Sequence, residues 1–178
     1  MIRFRTLAVG LAALAAVAAC SRAVMTRVPA GITPVTGFQV DRYMGQWYEI
    51  ARLDHRFERG MTDVSASYAL NDDGTVRVVN RGLKNGQWKS VEGTARFLGD
   101  PATASLAVMF FPGFPGGYHV FALDPDYRWA VVSGPNRGYL WILARQPAMD
   151  EATYGRLTGI ARDNGFAVDD LIRVRHGD

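Results

Sequence analysis

Cysteine occurs once in the chain, at Cys20, so neither an intrachain disulfide nor a multi-cysteine metal site can form. Histidine occurs three times, at His55, His119 and His176, and no two are spaced as metal ligands. There is no G-x-S-x-G nucleophile elbow. The glycine-rich stretch Pro112–Gly117 has no lysine and no following helical pattern, so it is no phosphate cradle. Charge of one sign is scarce, with 20 basic against 17 acidic residues. The apolar run Thr6–Ala19 is shorter than the ~20 residues needed to span a bilayer.

That run follows Arg3 and Arg5, and the combination reads as a cleaved export signal over residues 1–19. It ends in Val17-Ala18-Ala19-Cys20, which resembles the bacterial lipobox. The resemblance implies a diacylglycerol on the Cys20 sulfur, cleavage before Cys20 and acylation of the new amine. Three acyl chains exceed the two signals that stable anchoring requires. Ser21 stands where inner-membrane lipoproteins carry Asp, which implies the outer membrane, on its periplasmic side. Acylation leaves no thiol for catalysis. Loss of Arg3 and Arg5 takes the formal charge from +3 to +1 and removes any electrostatic case for nucleic acid. Residues 20–36, with Pro29, Gly31 and Pro34, read as the acylated cysteine and a flexible tether, and residues 37–178 as the folded domain.

From Trp47 the chain breaks into short β-rich runs separated by turns such as Asn71–Gly74 and Gly99–Pro101. Val64, Ala66, Tyr68 and Leu70 alternate with polar residues, as do Val91, Gly93, Ala95 and Phe97. Eight strands with short links and no helix between them predict an antiparallel meander closed into a barrel. The last three strands are apolar on both faces and need a cover. Asp150–Asn164 supplies one: Asp150 as N-cap, a stripe of Tyr154, Leu157, Ile160 and Ala161, and an Asn164-Gly165 stop. The expected fold is all-β, an eight-stranded antiparallel up-and-down barrel with one C-terminal helix packed outside it. A further short strand is expected within Leu171–Val174.

"YMGQWYEIA", Tyr43–Ala51, resembles the G-x-W motif of the lipocalins, and "TDVSASY" and the Arg145 of "YLWILAR" resemble that family's second and third motifs. Longer stretches, including "ARLDHRFERG" and "FFPGFPGGYHVFALD", look like the bacterial outer-membrane lipoprotein lipocalins. The resemblance covers nearly the whole mature domain. It implies that Gly45 turns the chain into the first strand, Trp47 closes the barrel floor and Arg145 packs over Trp47; Trp47 and Arg145 are expected to hold the barrel shut and touch no ligand. No cofactor and no metal is implied.

An eight-stranded barrel of this kind encloses one small ligand. The lining is expected from Val64, Ala66, Tyr68, Val76, Val78, Val91, Ala95, Phe97, Leu106, Val108 and Phe110. Small residues at Ala66, Gly93 and Ala95 speak for an unfilled interior. Glu49 is either an inward polar group near the floor or a solvated strand residue. Loop parity puts Arg56, Phe57, Arg59, Leu83, Lys84, Phe111, Phe114 and Arg137 at the open mouth, where they either meet lipid and its headgroups or are ordinary loop residues. The same parity separates Ser133 from Asp124 and argues against a triad with His119, which is expected to be structural. The expected function is a membrane-anchored binding protein that stores or transports a fatty acid or lysophospholipid. The alternatives are a structural envelope lipoprotein that scaffolds a protein partner, and a lipid-modifying enzyme. The sequence leaves a homodimer open.

Overall fold

A computed structural model describes residues 23–177. The export signal and Cys20 lie outside the described residues. Within them, helix α1 (Val40–Tyr43) leads into eight antiparallel strands. These are β1 (Gly45–Arg52), β2 (Thr62–Leu70), β3 (Val76–Lys84), β4 (Gln87–Phe97), β5 (Ser105–Phe111), β6 (Phe114–Leu123), β7 (Trp129–Ser133) and β8 (Leu140–Ala144). Helix α2 (Glu151–Asp163), a 3-10 turn (Val168–Asp170) and a two-residue strand β9 (Ile172–Arg173) complete the chain.

Each strand pairs with the next, and β1 closes the barrel by pairing with both β8 and β2. The seam is uneven. The β1–β2 ladder runs only from Gly45↔Tyr68 to Tyr48↔Ser65. Beyond it, β9 takes the freed edge of β1 at Ala51 and Arg52. The Asp63 amide then donates to the Arg175 carbonyl at 2.8 Å, so the C-terminal segment bridges the split between the two strands.

Two cores result. The interior one gathers Trp47, Tyr68, Val78, Leu106, Val132 and their neighbours. The other lies between the outer face of β1, β7 and β8 and its cover, with Ile50, Val131 and Ile142 against Leu157 and Ala161 of α2. The Asp150 carboxylate accepts from the Thr153 amide at 2.8 Å and starts α2, and Gly165 at φ +80° ends it. The two-faced apolar strands thus have the cover their patterning demanded.

The tether expectation fails over residues 27–36. Val35 donates to Val120 and accepts from Ala104, Thr36 bridges to Thr103, and Ile32 is buried in the outer core. The Arg137 guanidinium holds the Ala30 carbonyl at 2.7 Å. Proline and glycine here do not mark free chain; they shape a strap that turns at Pro29–Ile32 and lies on the barrel wall.

Candidate functional site

The barrel floor is built from the Gly45–Trp47 turn. Gly45 has φ +90°, a conformation a side chain resists. It aims Trp47, fully buried, across the base. The Trp47 indole stacks on Tyr43 at 4.5 Å and donates to the Tyr43 carbonyl at 2.8 Å. The Arg145 guanidinium lies 4.0 Å from the Trp47 ring centroid and donates to the carbonyls of Gln46 and Arg42 at 2.9 and 2.7 Å. Cation–π attraction and charged hydrogen bonds therefore act on one guanidinium.

Above Trp47 three tyrosine hydroxyls converge. Tyr118 is 2.7 Å from Tyr43 and 3.1 Å from Tyr68, oxygen to oxygen. Burial raises the pKa of all three phenols, so the cluster stays neutral. Between these rings, Met44, Ala95 and Leu106, the free volume is about 20 Å³, room for one water.

This corrects the expected lining. Tyr68, Val76, Val78, Ala95 and Leu106 belong to the packed lower core, and Phe97 sits at the floor against Phe38, ring centroids 6.3 Å apart. Val64 is buried under Gly82 and Met61. Nor is Gly93 a sign of empty space. A Cβ there would fall 2.6 Å from the Met109 carbonyl oxygen and 2.7 Å from the Phe110 ring. The glycine lets β5 approach and Phe110 lie across it. Val108 lines the same small void as Tyr68, Ala95 and Leu106; Ala66, Val91 and Phe110 remain in the upper half, where they are partly open to solvent.

The upper half also holds a charged cluster that only partly surfaced in the sequence. Glu49 points inward, which decides between its two readings, and is 3% exposed. A bulge between Glu49 and Ala51 turns Ile50 and Ala51 outward and brings Arg52, 1% exposed, back inside. Arg52 donates to Glu49 at 2.6 Å and to the Glu58 carbonyl at 2.8 Å. The Trp141 indole donates to the Glu58 carboxylate at 3.2 Å, and His55 Nε2 stands 3.0 Å from it, off the hydrogen-bond direction. Burial first, then the Glu58 charge, push the Glu49 carboxyl well above the usual carboxylate range, against the pull of Arg52. Burial also raises Glu58, but His55, Trp141 and Arg52 together outweigh it and hold Glu58 below its ordinary value. Arg52 Nε and Asn80 Oδ1 are buried without a partner. The signal was available as E-x-x-R-x-x-H-x-x-E, residues 49, 52, 55 and 58. Strand alternation cannot place a three-residue period on one face; the bulge and the loop do.

At the mouth, Phe57, Phe111 and Phe114 are 66%, 61% and 71% exposed. Arg56 is exposed, Lys84 and Leu83 are half-buried, and Arg59 pairs with Asp54 at 2.7 Å on the surface. Arg137 is not a headgroup cation. It holds the Asn164 and Ala30 carbonyls and so clasps α2 to the strap. His119 is buried on the outer face between Ser105 Oγ at 2.9 Å and the Arg27 carbonyl at 3.0 Å. Asp124 is occupied at the other end of β6–β7 by Arg128. Among the described residues no cluster of three or more His, Cys, Asp or Glu is placed to hold a metal.

A lipocalin-like domain model matches residues 38–176. The chain is 50% identical over 149 residues to outer membrane lipoprotein Blc of Citrobacter freundii, covering 83% of this chain and 84% of that one. It is 40% identical over 154 residues to temperature-induced lipocalin-1 of Arabidopsis thaliana, covering 81% and 82%. The solved structure of insecticyanin from Manduca sexta superposes with a TM-score of 0.66 at 17% identity, covering 86% of this chain and 88% of that one, and supports the fold alone. The match begins at Phe38, where the strap enters the floor, and ends at His176, where the C-terminal segment closes the seam; the chain that lies between them belongs to the lipocalin family.

Proposed function

We propose that this protein is anchored at the outer membrane through Cys20 and binds a fatty acid or lysophospholipid in the upper half of its barrel, storing or transporting it. The observation that carries this is the division of the interior. Below, aromatic rings fill the barrel; above, Ala66, Val91 and Phe110 form an apolar wall open to solvent. Each methylene that enters contributes about 0.8 kcal/mol. The filled floor stops a chain from threading the full barrel depth, so part of it, or its head, stays at the mouth. The Arg52 cluster stands on β1 and the loop after it, and Asn80 lies between Ala66 and Val91. The unpartnered Arg52 N–H and Asn80 carbonyl favour a ligand with a polar end over a plain hydrocarbon. The naming of several relatives as outer membrane lipoproteins supports the location.

Trp141 faces this space and reports on it. Titration of the full chain with palmitate and with a lysophospholipid is expected to quench its emission saturably, and the change should be lost in Trp141→Phe. Absence of any saturable change with either lipid removes the carrier function. It would favour a scaffolding lipoprotein, which the packed lower half also suits.

A further inference from the structure

The strongly exposed large apolar side chains are unevenly placed. Of ten among the described residues, six lie on the outside of the mouth half: Phe57, Trp88, Met109, Phe111, Phe114 and Ile172, which pairs with Arg52 at the mouth end of β1, while Val91 opens into the barrel. Only Leu70 and Leu98 stand at the floor-end loops. A soluble surface scatters such residues singly; a cluster rimmed by polar groups marks a contact surface.

The β1–β2 loop has two faces. His55 and Glu58 turn into the barrel, while Arg56, Phe57 and Arg59 turn out. Across residues 53–61, 83–89 and 111–114 there are four cations, Arg56, Arg59, Lys84 and Lys89, against two carboxylates, Asp54 and the inward Glu58. Apolar tips beside cations at the strand ends and the β1–β2 loop fit phospholipid, with acyl chains beneath phosphates.

The strap sets which end faces that lipid. The Thr26 carbonyl lies over Gly117, three residues from the rim end of β6 and six from its floor end. At 3.3 Å per residue and a 40° tilt these are roughly 8 and 15 Å along the barrel axis, before the floor loops are added. Cys20 is six residues before Thr26, and residues 23–26 form a helical turn, so the reach is about 15 Å. A rim-down body leaves that segment slack. A floor-down body needs more length than that segment has once the floor loops are added.

We infer that the mouth rim docks on the bilayer that holds the anchor, with Phe57 and the Phe111–Phe114 hairpin in the acyl boundary and Arg56, Arg59, Lys84 and Lys89 at the phosphates. Docking stands independently of what the barrel binds. Trp88, 51% exposed on the rim's outer side, is the probe. The acylated full chain is placed in phosphatidylethanolamine–phosphatidylglycerol vesicles with brominated acyl chains, and emission is compared with that of Trp88→Phe, which subtracts quenching from lipid inside the barrel. The Trp88 component is expected to be quenched at least twofold. Phe57→Ser, Phe111→Ser and Phe114→Ser combined should abolish that quenching, Phe114→Ser alone should roughly halve it, and Leu70→Ser with Leu98→Ser should leave it intact. An unquenched Trp88, or quenching unmoved by the rim variants, overturns the docking. So does a rim-dependent dimer seen by sedimentation with Trp88 unquenched, which would give the patch to a second copy of the chain.

Discussion

Floor and mouth are two ends of the same eight strands and are held by opposite physics. At the floor every large side chain is spent on closure: Trp47 and Tyr43 stack, Arg145 covers them, and three phenols share their hydrogen bonds inside. At the mouth three phenylalanines face solvent, and buried charges hold a loop where apolar packing holds the base. The floor is optimised for stability. The mouth gives up burial at its rim and accepts the desolvation of Glu49 and Arg52, which are costs a purely structural barrel has no reason to bear.

The sharpest contrast comes from removing the closure itself. Trp47→Ala empties a fully buried site and is expected to cost about 3–5 kcal/mol, read as a drop in the urea midpoint at constant slope. Arg145→Met keeps the stem but loses the cation–π contact and the bonds to Gln46 and Arg42. Those carbonyls lie near solvent and rehydrate, so the expected loss is smaller, about 2 kcal/mol. An equal loss at an exposed rim residue such as Phe57 would erase the distinction between the two ends.

Gly93→Ala tests how full the middle is. Its new methyl meets backbone at 2.6 Å and has only the Phe110 ring to push aside, so about 1–3 kcal/mol of destabilisation is expected. A neutral or stabilising result would mean open space beside Phe110 and a deeper cavity than the packing indicates.

This residue also shows what the sequence can convey. Alternation fixed which face of β4 points inward, because a period of two is a property of the strand alone. The resemblance to the lipocalin motifs implied that Gly45, Trp47 and Arg145 meet at the floor, and they do. Alternation is silent about what stands opposite, so Gly93, Ala95 and Ala66 looked like room for a ligand. Two of the three instead make room for the protein's own side chains. Arg137 and residues 27–36 escaped for a related reason. A strap is held by long-range contacts, to Val120, Ala104 and Thr103, and carries no period of its own. Glu49, Arg52 and Glu58 needed a bulge that local propensity does not announce.

The charged cluster gives a contrast in pH. Glu49 has a folded pKa above its unfolded value, so the folded chain holds a proton that the unfolded chain releases. Stability therefore falls as pH rises from the ordinary carboxylate range through the raised value. Glu58, held below its ordinary value, has the opposite sign: its contribution is lost as pH falls below about 4.5 through the lowered value. Because the two interact, they titrate as a pair. Glu49→Gln is expected to flatten the decline on the alkaline side, and Glu58→Gln the decline on the acid side, in urea midpoints measured from pH 3 to 9. A floor variant such as Arg145→Met should shift the whole curve without changing its shape.

The smallest effect is the most discriminating, because it separates neighbours in the chain. Phe110 and Phe111 are consecutive on β5 and equal in chemistry. The strand turns the first across Gly93 and the second into solvent at 61% exposure. Phe110→Ala should cost about 2–4 kcal/mol, at or below the usual range for a buried Phe because its site is only partly closed. Phe111→Ser should stay within about 0.5 kcal/mol. If the exposed ring served folding, its loss would register in the urea midpoint. If it serves a surface the isolated chain does not meet, the midpoint stays put and only vesicle contact weakens, which is the pattern expected of a residue kept exposed for a partner.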